Sequence, residues 1–278
     1  MKHVQVIADR LDAAAIGAAL GARRDELAVE IVARCTSTNA RLLEREPADR
    51  PALLAAELQS AGRGRRGRRW HSARGAGLTF SLARRLRRPL GELQGLSLVA
   101  GVAAARVLRG LGAAELALKW PNDLVARGAK LGGILVETRP VAGGTLAVIG
   151  IGINLRTTPD LGTRLRRQVI ALQQLIDPLP ARNALLAAIG CALLDALCEF
   201  EASGLAKLRT DWEALHAHAG QHIRVRLANG RVLSGLAAGL AADGALQLRT
   251  RRGLQDIHSA RVVAARAATA PGHSGRAA

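Results

Sequence analysis

Residues 130–155 read KLGGILVETRPVAGGTLAVIGIGINL, two apolar runs on either side of the turn-forming PVAGG. Such a pattern predicts two strands joined as an antiparallel hairpin. Other strands are predicted from the alternation in LAVEIVARC, ALLAAELQS and GLTFSLARRL, and LALKWPND is read as a strand running into a turn at Pro121. Helices are expected at STNARLLERE, capped by Ser37 or Thr38, at LQGLSLVAGVAAARVLRGL, and over residues 182–218. Residues 220–263 change to short β runs with turns at Asn229–Gly230 and Asp243–Gly244, where both central positions are expected at positive φ. The fold class is therefore α+β, a mixed β-sheet flanked by helices and followed by a small β-barrel. The expected division is a domain at 1–218, a barrel domain at 219–266 and a loose tail at 267–278.

Hydrophobic content of 49% and charged content of 22% are globular values, while the net charge of +18 raises a nucleic-acid reading. Arg, Ala, Leu and Gly dominate the whole chain, however, and with no Tyr and two Phe there are few platforms for base stacking. Cys35, Cys191 and Cys198 form neither a metal-type pair nor a disulfide framework, and the latter two are expected in a helical core. The start carries no apolar signal region, and the apolar run LSLVAGVAAARVL is too short for a bilayer, so a cytoplasmic protein without a membrane partner is expected.

Four segments place polar or glycine residues where strands end. TSTN at 36–39 sets hydroxyls and an amide beside a helix start, which also suits a plain cap. AGRGRRGRRW at 61–70 combines Gly62, Gly64 and Gly67, which let backbone approach a ligand, with Arg63, Arg65, Arg66, Arg68 and Arg69, whose planar guanidiniums suit phosphate. It lacks the Walker GxxxxGK[ST] pattern, and taken alone it also suits a solvated run or a polyanion patch. KWPND at 119–123 offers Asn122 and Asp123 for a metal-bound nucleotide or for a turn. In GAKLGGILVE, Lys130 precedes Gly132 and Gly133, a point charge beside closely approaching backbone, or simply an exposed lysine.

In order and spacing, STN, ELQSAGRGRRGRRW, KWPND, KLGGILVE and GIGIN together resemble the biotin protein ligases from about Ile31 to Leu155, and more loosely beyond. The resemblance implies a core similar to class II aminoacyl-tRNA synthetases and a two-step reaction. Biotin and Mg-ATP give biotinyl-5′-AMP and pyrophosphate, and the anhydride then acylates a lysine of a biotin carboxyl carrier domain. It further implies that Ser37, Thr38, Gln59, Gly62, Arg63, Arg65, Lys130, Gly133, Leu135 and Gly152 bind biotin. Arg65, Arg68, Trp70, Asn122, Lys130 and Asn154 would serve the nucleotide, with Trp70 a wall near the adenine. Lys130, Arg65 and Asp123 would be catalytic, and Asp123 would hold Mg2+ and help activate the incoming lysine. Thr36 stands where many members carry Asp, and Gly132 where Ala is common. The short segment before the first motif leaves too little chain for a winged helix-turn-helix domain, so no operator binding is expected. A homodimer is possible. A nucleic-acid-binding protein and a lipoate-type ligase are the competing readings.

Overall fold

The computed structural model describes residues 9–71, 73–158 and 168–266. The tail expected at 267–278 lies outside them. A seven-stranded mixed sheet is built from β1 (Ala28–Val32), β2 (Ala52–Ala56), β3 (Gly77–Leu86), β4 (Ala117–Lys119), β5 (Asp123–Ala126), β6 (Ala129–Val141) and β7 (Gly144–Asn154). Its order is β1-β2-β3-β7-β6-β5-β4, parallel between β1 and β2 and antiparallel elsewhere. The expected hairpin is present as β6–β7, in continuous register from Gly132↔Ile153 to Val141↔Gly144.

Alternation along the strands gives the sheet two unlike faces. Ala147, Ile149, Ile151 and Ile153 of β7 enter the main core with Leu78, Phe80 and Leu82 of β3. That face is covered by α1 (Ala13–Leu20), α3 (Leu96–Gly110), α4 (Arg182–Ser203) and α5 (Ala206–Ala214). Leu146 and Val148 point to the other face, where Leu42 of the short α2 (Thr38–Leu43) covers Leu54 and Ala83. Beyond this small cluster the second face is left uncovered, and there the site forms.

The helical stretch expected over 182–218 is two helices, because Gly204 at φ 65 ends α4. Among the described residues α4 is long and apolar enough to cross a bilayer, but its Leu185, Ile189, Leu193 and Leu197 are buried in the main core. Gly190 lets it close on the sheet, since a Cβ there would sit 3.1 Å from Leu53. The expectation that Cys191 and Cys198 are core residues is corrected. Cys191 is half-buried, packing against the edge of the main core, and Cys198 is exposed, its sulfur accepting from Arg84 of β3. Burial pushes the thiols of Cys35 and Cys191 up from their usual range, so neither is a ready nucleophile.

Beside this unit a five-stranded antiparallel sheet is formed by β8 (His222–Leu227), β9 (Val232–Leu240), β10 (Leu246–Thr250), β11 (Gly253–Ile257) and β12 (Ala260–Arg266), in the order β11-β10-β9-β8-β12. Its two turns differ from expectation. Only Gly230 and Gly244 have positive φ, at 83° and 87°, while Asn229 and Asp243 do not. Each Asx side chain instead accepts a hydrogen bond from the backbone two residues on, at Arg231 and Ala245, which closes the turn without a second left-handed residue. The indole Nε1 of Trp120 donates to Gly244 O at 3.2 Å, tying this sheet to the KWPND turn.

Candidate active site

The uncovered face holds a cavity of about 570 Å3. Its floor is two cross-strand rows from β3, β7 and β6, Thr79–Gly152–Gly133 and Gly150–Leu135, the second continued by the fully buried Ser81. The three glycines keep this floor low. A Cβ at Gly152 would come 2.3 Å from the Trp70 ring, and one at Gly150 would come 2.2 Å from Asn39 Oδ1. Glycine here makes room for side chains arriving from loops.

Ser37 caps α2 through its hydroxyl at 3.4 Å from Ala40 N, which leaves the Thr38 side chain to the cavity. Gln59 Oε1 accepts from Thr38 N at 2.7 Å and lies 3.1 Å from Thr38 Oγ1. Thr38 Oγ1 meets Ser81 Oγ at 2.6 Å, Ser81 donates to Asn39 Oδ1 at 2.6 Å, and Asn39 Nδ2 donates to Leu135 O and Glu137 Oε2 at 3.1 and 2.9 Å. Glu137 accepts only, so Asn39 must turn its nitrogen to it and its oxygen to Ser81. The Ser81 proton is then committed to Asn39, and the single Thr38 hydroxyl proton serves the two acceptors it faces, Ser81 Oγ and Gln59 Oε1. One carboxylate thus sets the polarity of a buried chain of hydrogen bonds that ends at Gln59.

The other Glu137 oxygen pairs with Arg63, the first arginine of the loop. The loop is a hairpin: Trp70 N donates to Gly62 O at 2.9 Å and Gly64 N to Arg68 O at 2.7 Å. A tight turn at Arg65–Gly67 holds Arg66 at φ 57 and Gly67 at φ 70. The Arg66 guanidinium donates to Ser259 Oγ at 2.9 Å, so the loop reaches the second sheet. Burial, followed by the neighbouring Arg66, lowers the pKa of Arg65, with Asp123 opposing, and the guanidinium remains charged.

On the far wall Lys130 Nζ pairs with Asp123 Oδ1. The pair fits because Gly133 lacks a side chain, whose Cβ would lie 2.8 Å from that nitrogen. The ammonium also stands 6.0 Å from the centre of the Trp70 ring. Asn122 donates to Ile134 O at 2.7 Å and fixes the turn that carries Asp123.

Of the residues singled out in the sequence, Ser37, Thr38, Gln59, Arg63, Arg65, Arg68, Trp70, Asn122, Asp123, Lys130, Gly133, Leu135 and Gly152 line this cavity together. Gly62 and Asn154 do not. Gly62, at the base of the loop, lines a smaller recess with Leu135 and Glu137, and Asn154 turns its amide to the carbonyls of Lys130 and Ile170 at 3.4 and 3.3 Å. Sequence reasoning missed the roles of Asn39, Ser81 and Glu137, and it missed Arg226 and Arg261, which enter the cavity from the second sheet.

The Biotin/lipoate A/B protein ligase family model matches residues 31–154, and the biotin protein ligase C terminal domain model matches residues 218–263. A biotin–[acetyl-CoA-carboxylase] ligase of Paracoccus denitrificans is 34% identical over 247 residues, covering 84% of this chain and 98% of that protein. The chain belongs to the biotin protein ligase family. The chain is also similar to the bifunctional ligase/repressor BirA of Escherichia coli, 40% identical over 215 residues. It covers 66% of that relative's length and 76% of its own. A biotin protein ligase from Aquifex aeolicus, solved in complex with biotin and ATP, matches 87% of this chain and 99% of its own, with a TM-score of 0.72 and 25% identity.

Proposed function

We propose that this ligase joins biotin to ATP as biotinyl-5′-AMP and then passes the biotinyl group to one lysine of a biotin carboxyl carrier domain. The observation that carries the reading is the convergence of Lys130 and the loop arginines on one cavity with a polar, hydrogen-bonded end at Thr38 and Gln59. A neutral ring urea suits that end, and two anionic groups that must meet suit the cationic end. In the first step a biotin carboxylate oxygen attacks the α-phosphorus, the bond to the β-phosphate breaks, and pyrophosphate leaves with the electron pair. In this reading Lys130 meets the carboxylate and the α-phosphate, and its charge offsets what builds up between them. In the second step the acceptor amine attacks the acyl carbon and AMP leaves.

Among the described residues Asp123 is the single carboxylate that lines the cavity, and no group of three His, Cys, Asp or Glu side chains gathers. A Mg2+ ion would therefore be held by Asp123 together with nucleotide phosphates and water, the donor set that ion favours. When bound, it neutralises phosphate charge. Once Lys130 turns to the ligand, the same carboxylate stands as the proton acceptor for an arriving lysine ammonium.

Purified protein with biotin, Mg-ATP and a carrier domain, read by intact mass, tests the reading. The carrier gains one biotinyl group in the expected result. No gain overturns the assignment, and gain only with lipoate moves it to the lipoate branch of the family.

A further inference from the structure

Two recesses of similar size adjoin the cavity, about 340 Å3 beneath the arginine hairpin and about 320 Å3 beside the KWPND turn. Their charge differs. The first is walled by five loop arginines, and its one carboxylate, Glu137, is already paired with Arg63. The second shares Arg65, Trp120 and Pro121 with the main cavity, and among the described residues Arg65 is its only arginine or lysine. Trp120, Pro121, Leu98 and Ala245 give it apolar walls. Trp120 is buried, whereas Asp243 and His258 have 41% and 62% of their side chains exposed, so these two stand at the mouth. Asp243 Oδ1 accepts from Ala245 N at 3.0 Å and Oδ2 faces His258 Nδ1 at 3.3 Å, which holds the carboxylate in place while part of it meets solvent. The recess thus runs from Asp243 inward to the wall it shares with the main cavity, where Asp123 follows Pro121 by two residues.

The proposed function requires an ammonium from outside to reach the acyl carbon in a cavity that nine basic side chains line. Through the hairpin it would pass Arg63, Arg66, Arg68 and Arg69, and like charges repel. Resting on that function, we infer that the acceptor lysine of the carrier domain enters through the second recess, with Asp243 as its outer guide. A lysine lays its four-carbon stem along apolar surface and keeps its charged end with a polar partner, which matches these walls and the carboxylate at the mouth. Asp243 meets the ammonium on arrival, and Asp123 takes its proton at the inner end. The freed amine attacks the acyl carbon and AMP leaves. Nucleotide phosphates have the opposite preference and stay with the arginines, so the two charged substrates do not compete for one path.

Carrier labelling is followed for the unaltered protein, Asp243→Asn and Gln94→Trp. Single-turnover formation of biotinyl-5′-AMP is measured beside it, together with trapping of the adenylate by hydroxylamine, a small nucleophile uncharged at neutral pH. Asparagine keeps the acceptor for Ala245 N and removes the charge, and tryptophan at the exposed Gln94 fills the recess from its rim. Each variant is expected to raise KM for the carrier about tenfold or more, with adenylate formation and hydroxamate yield changed less than about twofold. A carrier KM within about twofold of the unaltered value in either variant overturns the entry route. So does an equal loss with hydroxylamine, which marks a disturbed site, or a rise in KM for ATP instead, which puts the nucleotide in the recess. Absence of biotinyl-5′-AMP with the unaltered protein overturns the proposed function, and the entry route with it.

Discussion

The indole of Trp70 rests on the bare Cα of Gly152, so closely that a Cβ at 152 would lie 2.3 Å from the ring. Trp70 ends the arginine hairpin through its bond to Gly62 O, so displacing the ring displaces the loop. Gly152→Ala is expected to raise KM for ATP about tenfold or more while the secondary structure stays intact. Steady-state kinetics beside circular dichroism checks this, and unchanged ATP dependence would remove Trp70 from the nucleotide wall.

Lys130 and Asp123 form an ion pair on the cavity wall. Lys130→Ala removes the cation proposed to meet the biotin carboxylate and α-phosphate, and a loss of about 10²–10³-fold in adenylate formation is expected. The variant leaves Asp123 near Arg65, so the cavity retains a countercharge. Single-turnover formation of biotinyl-5′-AMP is the measurement, and near-normal turnover would sink the role.

Glu137 divides its two oxygens between Arg63 and Asn39. Glu137→Gln puts a donor where only acceptors stood and lets the Asn39–Ser81–Thr38 chain reverse. KM for biotin is expected to rise about tenfold with little change for ATP. A second readout is discrimination against a biotin analogue whose urea oxygen is an imino nitrogen, which is expected to narrow. An equal loss for both ligands would mean simple misfolding of the pocket.

Away from the site, Arg182 and Glu57 form a buried ion pair 3.0 Å long, with side chains 2% and 7% exposed. Glu57 also accepts from Leu11 N at 2.7 Å, which pins the segment before α1. Glu57→Ala leaves a buried guanidinium uncompensated and is expected to cost about 3–5 kcal/mol in urea unfolding. Glu57→Leu combined with Arg182→Met is expected to recover much of it. If the single variant unfolds at the unaltered midpoint, the pair carries no stability.

Burial, and then the neighbouring charge, holds His216 and His218 down to about 4, against about 6.5 for free imidazole. Below pH 6.5 the unfolded chain takes up protons that the folded chain refuses until about pH 4, so stability falls as pH drops through that window. Thermal melts at pH 7.5, 6 and 5 are expected to show this decline, and His218→Gln to make it shallower. Parallel curves for both proteins would assign the acid sensitivity to other groups.

Much of this site was legible because its parts are local. Alternation fixed β6 and β7, and a glycine beside Lys130 announced close approach before any fold was known. Thr38 was harder. Ser, Thr and Asn all cap helices, and only the register of β3 against β7, which sets Ser81 beside Gly150, separates the cap at Ser37 from the network at Thr38 and Asn39. Glu137 read as an ordinary strand residue, since its partners Arg63 and Asn39 lie 74 and 98 positions away. Arg226 and Arg261 were invisible for a different reason. In an arginine-rich chain two more arginines carry no signal until strand pairing sets them face to face.

The β6–β7 hairpin holds the site in a two-step phase: Gly133, Leu135 and Glu137 on one strand, Gly150 and Gly152 on the other, with core residues at the positions between. Losing or gaining one residue within either strand would invert that phase, sending Ile151 or Ile134 into the ligand space and glycines into the core. Lengthening the tip between Val141 and Gly144 would leave the phase untouched. Along these two strands descent can therefore revise letters but not spacing, and length changes in this stretch should collect at the tip.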